Sequence, residues 1–398
     1  MRQRMACPRS ALRRLVLLPV LATITLLAAL ASAGVAAAAR GEQFTPVTAS
    51  VVAPPQPVLG SDGRRHLAYE LLLINRSFNP TAKVTLRRVT TLAGGKVVDS
   101  LARSRLAAVT FPFGGTKPGS RLEKGEAAYV MMDVSFPRGA KLPKRLDHRL
   151  AVSLRPASKV VATRYEAAPT RVARRDAVVV APPLRGSGWI VGNGCCSTLT
   201  SHRAGLLPVD GALHEGERFA IDFIRVAPSG LLGTGPLGLL SSYPFFGAEV
   251  LSASAGRVVT VVDRLPETPP GAVPPTTAAR AAGNHVVVAM GKRRFALYAH
   301  LQPGSIRVKT GDRVSVGQTL GLLGSSGNSN APHLHFQLMD GPGPLASNGL
   351  PYRFGSFSVA GTLTNFGDLF EGKRAKIVPR FAGRHRAELP LNLHVVDF

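Results

Sequence analysis

Between residues 43 and 184 the chain alternates short apolar runs with turn residues. The runs fall at 69–74, 83–89, 127–134, 150–154, 160–165 and 177–180, each set off by Gly, Pro, Asn or Asp. Runs of this length and spacing predict short strands, since turn chemistry breaks them before a helix could form. Their number predicts an immunoglobulin-like β-sandwich over residues 40–185. His66 and His148 sit among Arg and Asp in turn-like settings, which places them at the solvated surface. Pro182-Pro183-Leu184-Arg185-Gly186-Ser187-Gly188 marks a boundary by its turn chemistry. Beyond it a second β-rich domain is expected over 186–370, with a carboxy-terminal extension at 371–398. Two Gly/Pro-rich insertions, 227–247 and 265–283, exceed ordinary hairpin loops and are expected to line or cover a cleft. The fold class is therefore all-β.

The first 39 residues follow a different pattern. Arg2, Arg4, Arg9, Arg13 and Arg14 precede an uncharged stretch from Leu15 to Ala39, with small-residue exits at Ala31-Ser32-Ala33 and Ala37-Ala38-Ala39. This predicts a signal peptide over 1–39 and a secreted, extracytoplasmic protein in the periplasm or cell wall. The same stretch is long enough to span a bilayer, so contact with a membrane is expected only if it is not cleaved.

Composition refines this picture. With 45% hydrophobic residues the chain buries a real core, which excludes a disordered protein. The net charge is +26, and it stays at +21 once the five leader arginines are gone. A surface of that sign attracts polyanions. Nucleic acid is scarce outside the cytoplasm, and no stripe of interleaved aromatic and basic residues offers a stacking platform. Peptidoglycan or another anionic cell-envelope polymer is the expected partner, and nucleic acid is not. Of the three cysteines Cys7 lies in the leader, which leaves Cys195 and Cys196 to form a vicinal ring or remain free thiols. Their spacing does not suit a zinc knuckle.

The chemistry gathers in the second domain, where six of the ten histidines lie between His202 and His335. In Pro332-His333-Leu334-His335-Phe336 a strand puts His333 and His335 on one face and Leu334 and Phe336 on the other. Asp222 sits in Phe219-Ala220-Ile221-Asp222-Phe223-Ile224, a strand whose odd positions are core material. A buried carboxylate there needs a metal or a cationic partner, with Arg218 or Arg225 as structural candidates. His300 closes the alternating run Phe295-Ala296-Leu297-Tyr298-Ala299-His300-Leu301. Two imidazoles and a carboxylate, with further imidazoles nearby, match the donor set of a hydrolytic zinc ion that keeps one position open.

These residues resemble the lysostaphin-type, or β-lytic, zinc metallopeptidases with the duplicated hybrid motif fold. The likeness runs through Tyr298-Ala299-His300-Leu301, Lys309-Thr310-Gly311-Asp312 and Gly317-Gln318-Thr319-Leu320-Gly321, and ends in the Gly324-Ser325-Ser326-Gly327 turn that leads to His333-Leu334-His335. It covers residues 193 to 354. The resemblance implies that Asp222 and His335 are zinc ligands and that His300 and His333 are catalytic, moving a proton and steadying the oxyanion. The family pattern expects a histidine four positions before the aspartate, where this chain has Arg218. Its replacement is His202, separated from Asp222 by nineteen residues, or His214, separated by seven, with His202 favoured because it precedes the Ala-Ile-Asp strand in the way divergent secreted members do. Asn193 reads as the turn residue of Gly-Asn-Gly, with the resemblance offering as the alternative that it fills the open metal position of a latent form, as an asparagine does in some family precursors; His285, at a strand start, reads as structural.

The expected function is a secreted zinc metalloendopeptidase that cuts peptidoglycan cross-links or stem peptides, with metal ligands His202, Asp222 and His335. The alternative is a non-catalytic module of the same fold that binds the wall or regulates another wall hydrolase, for which Arg218 is the supporting feature.

Overall fold

The computed structural model describes residues 41–398 apart from 114, 116 and 273–275. The leader expected at 1–39, with Cys7, lies outside the described residues. Among these, strands dominate and the one α-helix is Arg103–Ala108. No helix among them is long and apolar enough to cross a membrane.

Alternation along the strand Arg64–Asn75 divides its side chains between two cores. Leu67, Tyr69, Leu71 and Leu73 point one way, into a cluster shared with Val84, Leu86, Val89, Leu150 and Leu154. Ala68, of opposite parity, joins the other, larger core. The Leu67 face closes the amino-terminal sandwich. One sheet runs Val47–Val51, Arg64–Asn75, Ala127–Pro137, Thr110–Pro112, and the other runs Arg164–Arg171, Arg145–Arg155, Lys83–Ala93, Lys96–Ala102. Neighbours in both sheets are antiparallel.

The expected strand at 160–165 begins only at Arg164. The run at 177–180 forms the strand Val178–Val180, which pairs parallel with Tyr352–Leu363 in the next sheet and not in the sandwich. Two surface expectations also fail. His66 and His148 are buried because polar partners satisfy both ring nitrogens of each. His66 meets Asp133 at 2.9 Å and Asp62 at 3.1 Å. His148 meets the Tyr69 hydroxyl at 2.7 Å and donates from Nδ1 to the Ala168 carbonyl at 2.9 Å.

The larger core lies on a 13-stranded sheet whose central order is Trp189–Gly192, Ile221–Arg225, Leu334–Met339, Phe295–Leu301, Asn284–Ala289, Gly256–Val262. Phe223, Tyr298, Leu334, Phe336 and Tyr352 fill one side of it. His394–Asp397, close to the chain end, runs inside this sheet between Trp189–Gly192 and Tyr352–Leu363. Insertion 227–247 does not cover the cleft, since its Leu232, Tyr243 and Phe245 are buried in the core instead. Phe44–Phe398 form one compact unit.

Candidate metal centre

Strand register assembles the site. Asp222 lies directly opposite His335 across the pair Ile221–Arg225 and Leu334–Met339. Ala299 lies opposite His335 on its other side, so His300 follows one residue beyond. Because side chains alternate with period two, Phe223, Leu334 and Phe336 enter the core while Asp222, His335 and Gln337 face the opposite side. That side forms a cleft of about 580 Å³, lined among others by His202, Glu217, Asp222, His300, His333 and His335.

Asp222 is the hub of the cleft. Its Oδ2 lies 3.1 Å from His202 Nε2, and its Oδ1 lies 3.0 Å from His335 Nδ1 and 3.4 Å from His333 Nε2. Asn193 Nδ2 donates to Oδ2 at 2.8 Å. Burial by itself would raise the Asp222 carboxyl, but His202 and His333 outweigh it and hold the group well below the usual carboxylate range. For His202 burial pulls down and Asp222 pushes up, for a net rise to about 9. Burial drives His333 down, and drives His300 well down with the help of His333 and His335.

Backbone and side-chain acceptors fix which ring nitrogens face the cleft. His202 Nδ1 donates to the Ala220 carbonyl at 3.2 Å, His300 Nδ1 to Ser326 at 2.7 Å, and His333 Nδ1 to Ala331 at 2.8 Å. His335 is turned the other way, with Nε2 donating to Gln337 Oε1 at 2.7 Å. Asp222 Oδ1 therefore faces the lone pairs of His335 Nδ1 and His333 Nε2. Acceptor against acceptor at these distances requires a shared proton or a cation. The donor set of two imidazoles and a carboxylate, each oriented by an outer hydrogen bond, fits a zinc ion.

The sequence-derived candidates separate cleanly. His202, Asp222, His300, His333 and His335 meet in the cleft. His214 is not among the residues lining it; its short strand Ala212–His214 pairs with Leu207–Val209. His285 donates from Nδ1 to Gly283 and stays in its strand. Arg218 turns into a buried pair with Glu70, its Nε 2.9 Å from Oε2. Asn193, read from the sequence as a turn residue, reaches the cleft from a left-handed backbone with φ of 53°, and His300 has φ of 63°. A histidine held there is strained, as residues at functional sites often are. Cys195 and Cys196 are joined as a vicinal disulfide.

Two cleft residues escaped the sequence reading. Gln337 continues the two-residue period of His333 and His335, and that period was the available signal. Glu217 reads as part of an exposed acidic turn, yet one of its carboxylate oxygens and nitrogens of His202 and His335 lie within 4.8 Å of one another. Of insertion 265–283 the part after 275 lines the cleft, through Thr276, Thr277 and Ala281.

Comparison with known proteins converges on the same segment. The model of peptidase family M23 matches residues 244–347. The peptidoglycan DD-endopeptidase ShyA of Vibrio cholerae is 45% identical over 58 residues, which is 15% of this chain and 13% of that protein. The glycyl-glycine endopeptidase ALE-1 of Staphylococcus capitis is 34% identical over 108 residues, 23% of this chain and 29% of that protein. The chain thus spans 13% and 29% of the lengths of these two relatives. Among solved structures, the catalytic domain of the prophage-encoded M23 protein EnpA from Enterococcus faecalis is 23% identical, with a TM-score of 0.25, over 43% of this chain and 92% of that one. The family match contains His300, His333 and His335, whereas His202 and Asp222 lie upstream of it and enter the cleft through the fold. Taken with the motifs around His300 and His335, the family model marks residues 244–347 as a domain of peptidase family M23.

Proposed function

We propose that this chain is a secreted zinc metalloendopeptidase that hydrolyses peptide bonds in peptidoglycan outside the cytoplasm. The observation that carries the reading is the Asp222 carboxylate, met by His202, His335 and His333 at 3.1, 3.0 and 3.4 Å in an open cleft. The names of ShyA and ALE-1, both endopeptidases and one of them acting on peptidoglycan, support the substrate class.

His202 Nε2, Asp222 and His335 Nδ1 would hold the zinc ion. When bound, zinc supplies Lewis acidity toward the scissile carbonyl and lowers the pKa of water. The rest of the chemistry belongs to side chains. His300 and His333 each donate from Nδ1 to a carbonyl and are kept neutral by burial, so Nε2 is the basic atom facing the cleft. One of these atoms accepts the proton lost by the attacking water and passes it to the leaving amine nitrogen. Once protonated, the same imidazole donates a hydrogen bond to the developing oxyanion. The non-catalytic alternative loses its supporting feature, because Arg218 is committed to Glu70 while His202 stands beside Asp222.

Metal content and wall digestion test the reading together. The full-length protein should bind one zinc per chain, lose it in His202→Ala and keep it in His214→Ala. Digestion of purified sacculi should release new amino termini detectable by mass spectrometry. Absence of zinc from the wild-type protein, or its retention in His202→Ala, would sink the assignment.

A further inference from the structure

The segment that carries His202 does not stand on its own domain. Leu206 is buried in a small cluster with Tyr129 and Met131 of the sandwich, and Leu199 and Leu213 pack against it. The Tyr129 hydroxyl donates to the Ala204 carbonyl at 2.7 Å, and Arg203 Nη2 donates to the Met132 carbonyl at 3.2 Å. Both partners lie on the sandwich strand Ala127–Pro137. The two residues that follow His202, Arg203 and Ala204, are thus held by the amino-terminal sandwich.

Glu70 ties this segment to the strand of the second ligand. It is fully buried on the strand Arg64–Asn75, on the face opposite the sandwich core. Its Oε1 lies 3.7 Å from Arg203 Nη1. Its two oxygens accept from Arg218 Nε at 3.0 and 2.9 Å, and Arg218 Nη1 donates onward to the Gly349 carbonyl at 3.2 Å. Arg203 adjoins His202, and Arg218 stands four residues before Asp222. One carboxylate from the sandwich therefore holds two guanidiniums, each on the chain segment of a different candidate ligand.

This arrangement also explains why residue 218 is an arginine. At the position where the family pattern has a ligand, the side chain points into the domain interface, and the imidazole at 202 is supplied by a loop that the sandwich supports. We propose that Glu70 is a positioning residue of the metal centre, acting through Arg203 on His202 and through Arg218 on Asp222. The centre then depends on the sandwich folding against the peptidase domain. The proposal rests on the reading of His202 and Asp222 as zinc ligands. Outer-shell residues that orient metal ligands typically change affinity by roughly 10- to 100-fold when replaced.

The test uses the full chain, with zinc affinity measured by chelator competition and the cobalt-loaded protein followed by visible absorption. Glu70→Gln keeps the shape and removes the charge. It should weaken zinc binding by roughly 10- to 100-fold and alter the cobalt bands, with Glu70→Asp recovering part of the loss. Tyr69→Phe is the control. It removes the bond to His148 on the other face of the same strand, and should lower thermal stability without changing either metal readout. If Glu70→Gln does not fold, Arg203→Lys, which keeps the charge but shortens the reach, carries the same expectation. Wild-type zinc affinity and cobalt spectrum in the folded variant would overturn the proposal. Zinc absent from the wild type, or unaffected by His202→Ala, would instead overturn the ligand assignment, so the two failures are distinguishable.

Discussion

His66 shows how one buried side chain sets a pH limit on the fold. Its ring lies between the carboxylates of Asp133 and Asp62 at 2.9 and 3.1 Å. Burial opposes the charged imidazole, but hydrogen bonds to the two acids prevail and raise its pKa to about 9. The unfolded chain titrates near 6.5, so the raised value contributes stability that is fully present below about 6.5 and is lost as the pH climbs through 9. At 1.36 kcal/mol per unit the contribution is at most about 3 kcal/mol, and water reaching Asp62 reduces it to about 1–3 kcal/mol. Urea unfolding at pH 6 and pH 9.5 should therefore show the wild-type protein losing about 1–3 kcal/mol more than His66→Gln over the interval. An equal loss in both proteins would mean that the folded state does not raise the pKa of this imidazole. The same triad explains why reading the neighbourhood of His66 along the chain misled. Asp133 arrives from a strand 67 positions away, and no local pattern announces it.

At the scale of elements, the turn that presents His333 depends on a backbone contact available only to glycine. Gly327 has φ of 78° and Gly283, in the insertion beside the cleft, has φ of 60°. A Cβ on either would strike the backbone of the other's turn, at Gly283 N for residue 327 and at the Ser326 carbonyl for residue 283. Thr268 secures the same strap, donating from Oγ1 to the Gly327 carbonyl at 2.7 Å. Gly327→Ala should cost about 1–3 kcal/mol in thermal or urea unfolding and reduce wall digestion more steeply than stability, because His333 rides on the displaced turn. A variant with normal digestion would show the turn to be tolerant. This level is also where sequence reading succeeded best. Period-two alternation placed Asp222, His333 and His335 on one side of their strands, because a one-residue slip would drive them into the core. It could not decide between His202 and His214, since His202 lies in irregular chain whose path is set by docking on Tyr129 and Met131, and His214 ends a two-stranded hairpin with no apolar alternation to orient it. Nor could it anticipate that 227–247 would spend its apolar residues on the core, because Gly and Pro density reports turns and not what the intervening side chains bury.

Over the whole molecule, the excess of positive charge has a location as well as a sum. On the outer face of the sandwich's second sheet, Arg88 and Arg164 lie on either side of Ala151, on strands that both pair with Arg145–Arg155. They line a groove of about 410 Å³ with Arg149, Val97 and Ser100. Arg149 is partly neutralised by Glu166 at 2.8 Å, which leaves Arg88 and Arg164 as the principal positive charges of the groove. A face of this kind, away from the cleft, would concentrate the protein on an anionic wall polymer without selecting the bond that is cut. Screening over a Debye length of about 8 Å at physiological salt makes the effect strongly salt-dependent. The Arg88→Ser, Arg164→Ser double variant should bind acidic sacculi several-fold more weakly in low salt and equally in molar salt, in a pull-down assay. Its turnover of a soluble, uncharged peptide substrate should match the wild type, since neither residue approaches His300 or His333. Unchanged low-salt binding would show that this groove does not hold an anionic polymer, whereas a loss of soluble-peptide turnover would show that the sandwich face communicates with the cleft. That last outcome would extend the dependence already argued for Glu70, whose carboxylate belongs to the other sheet of the same sandwich.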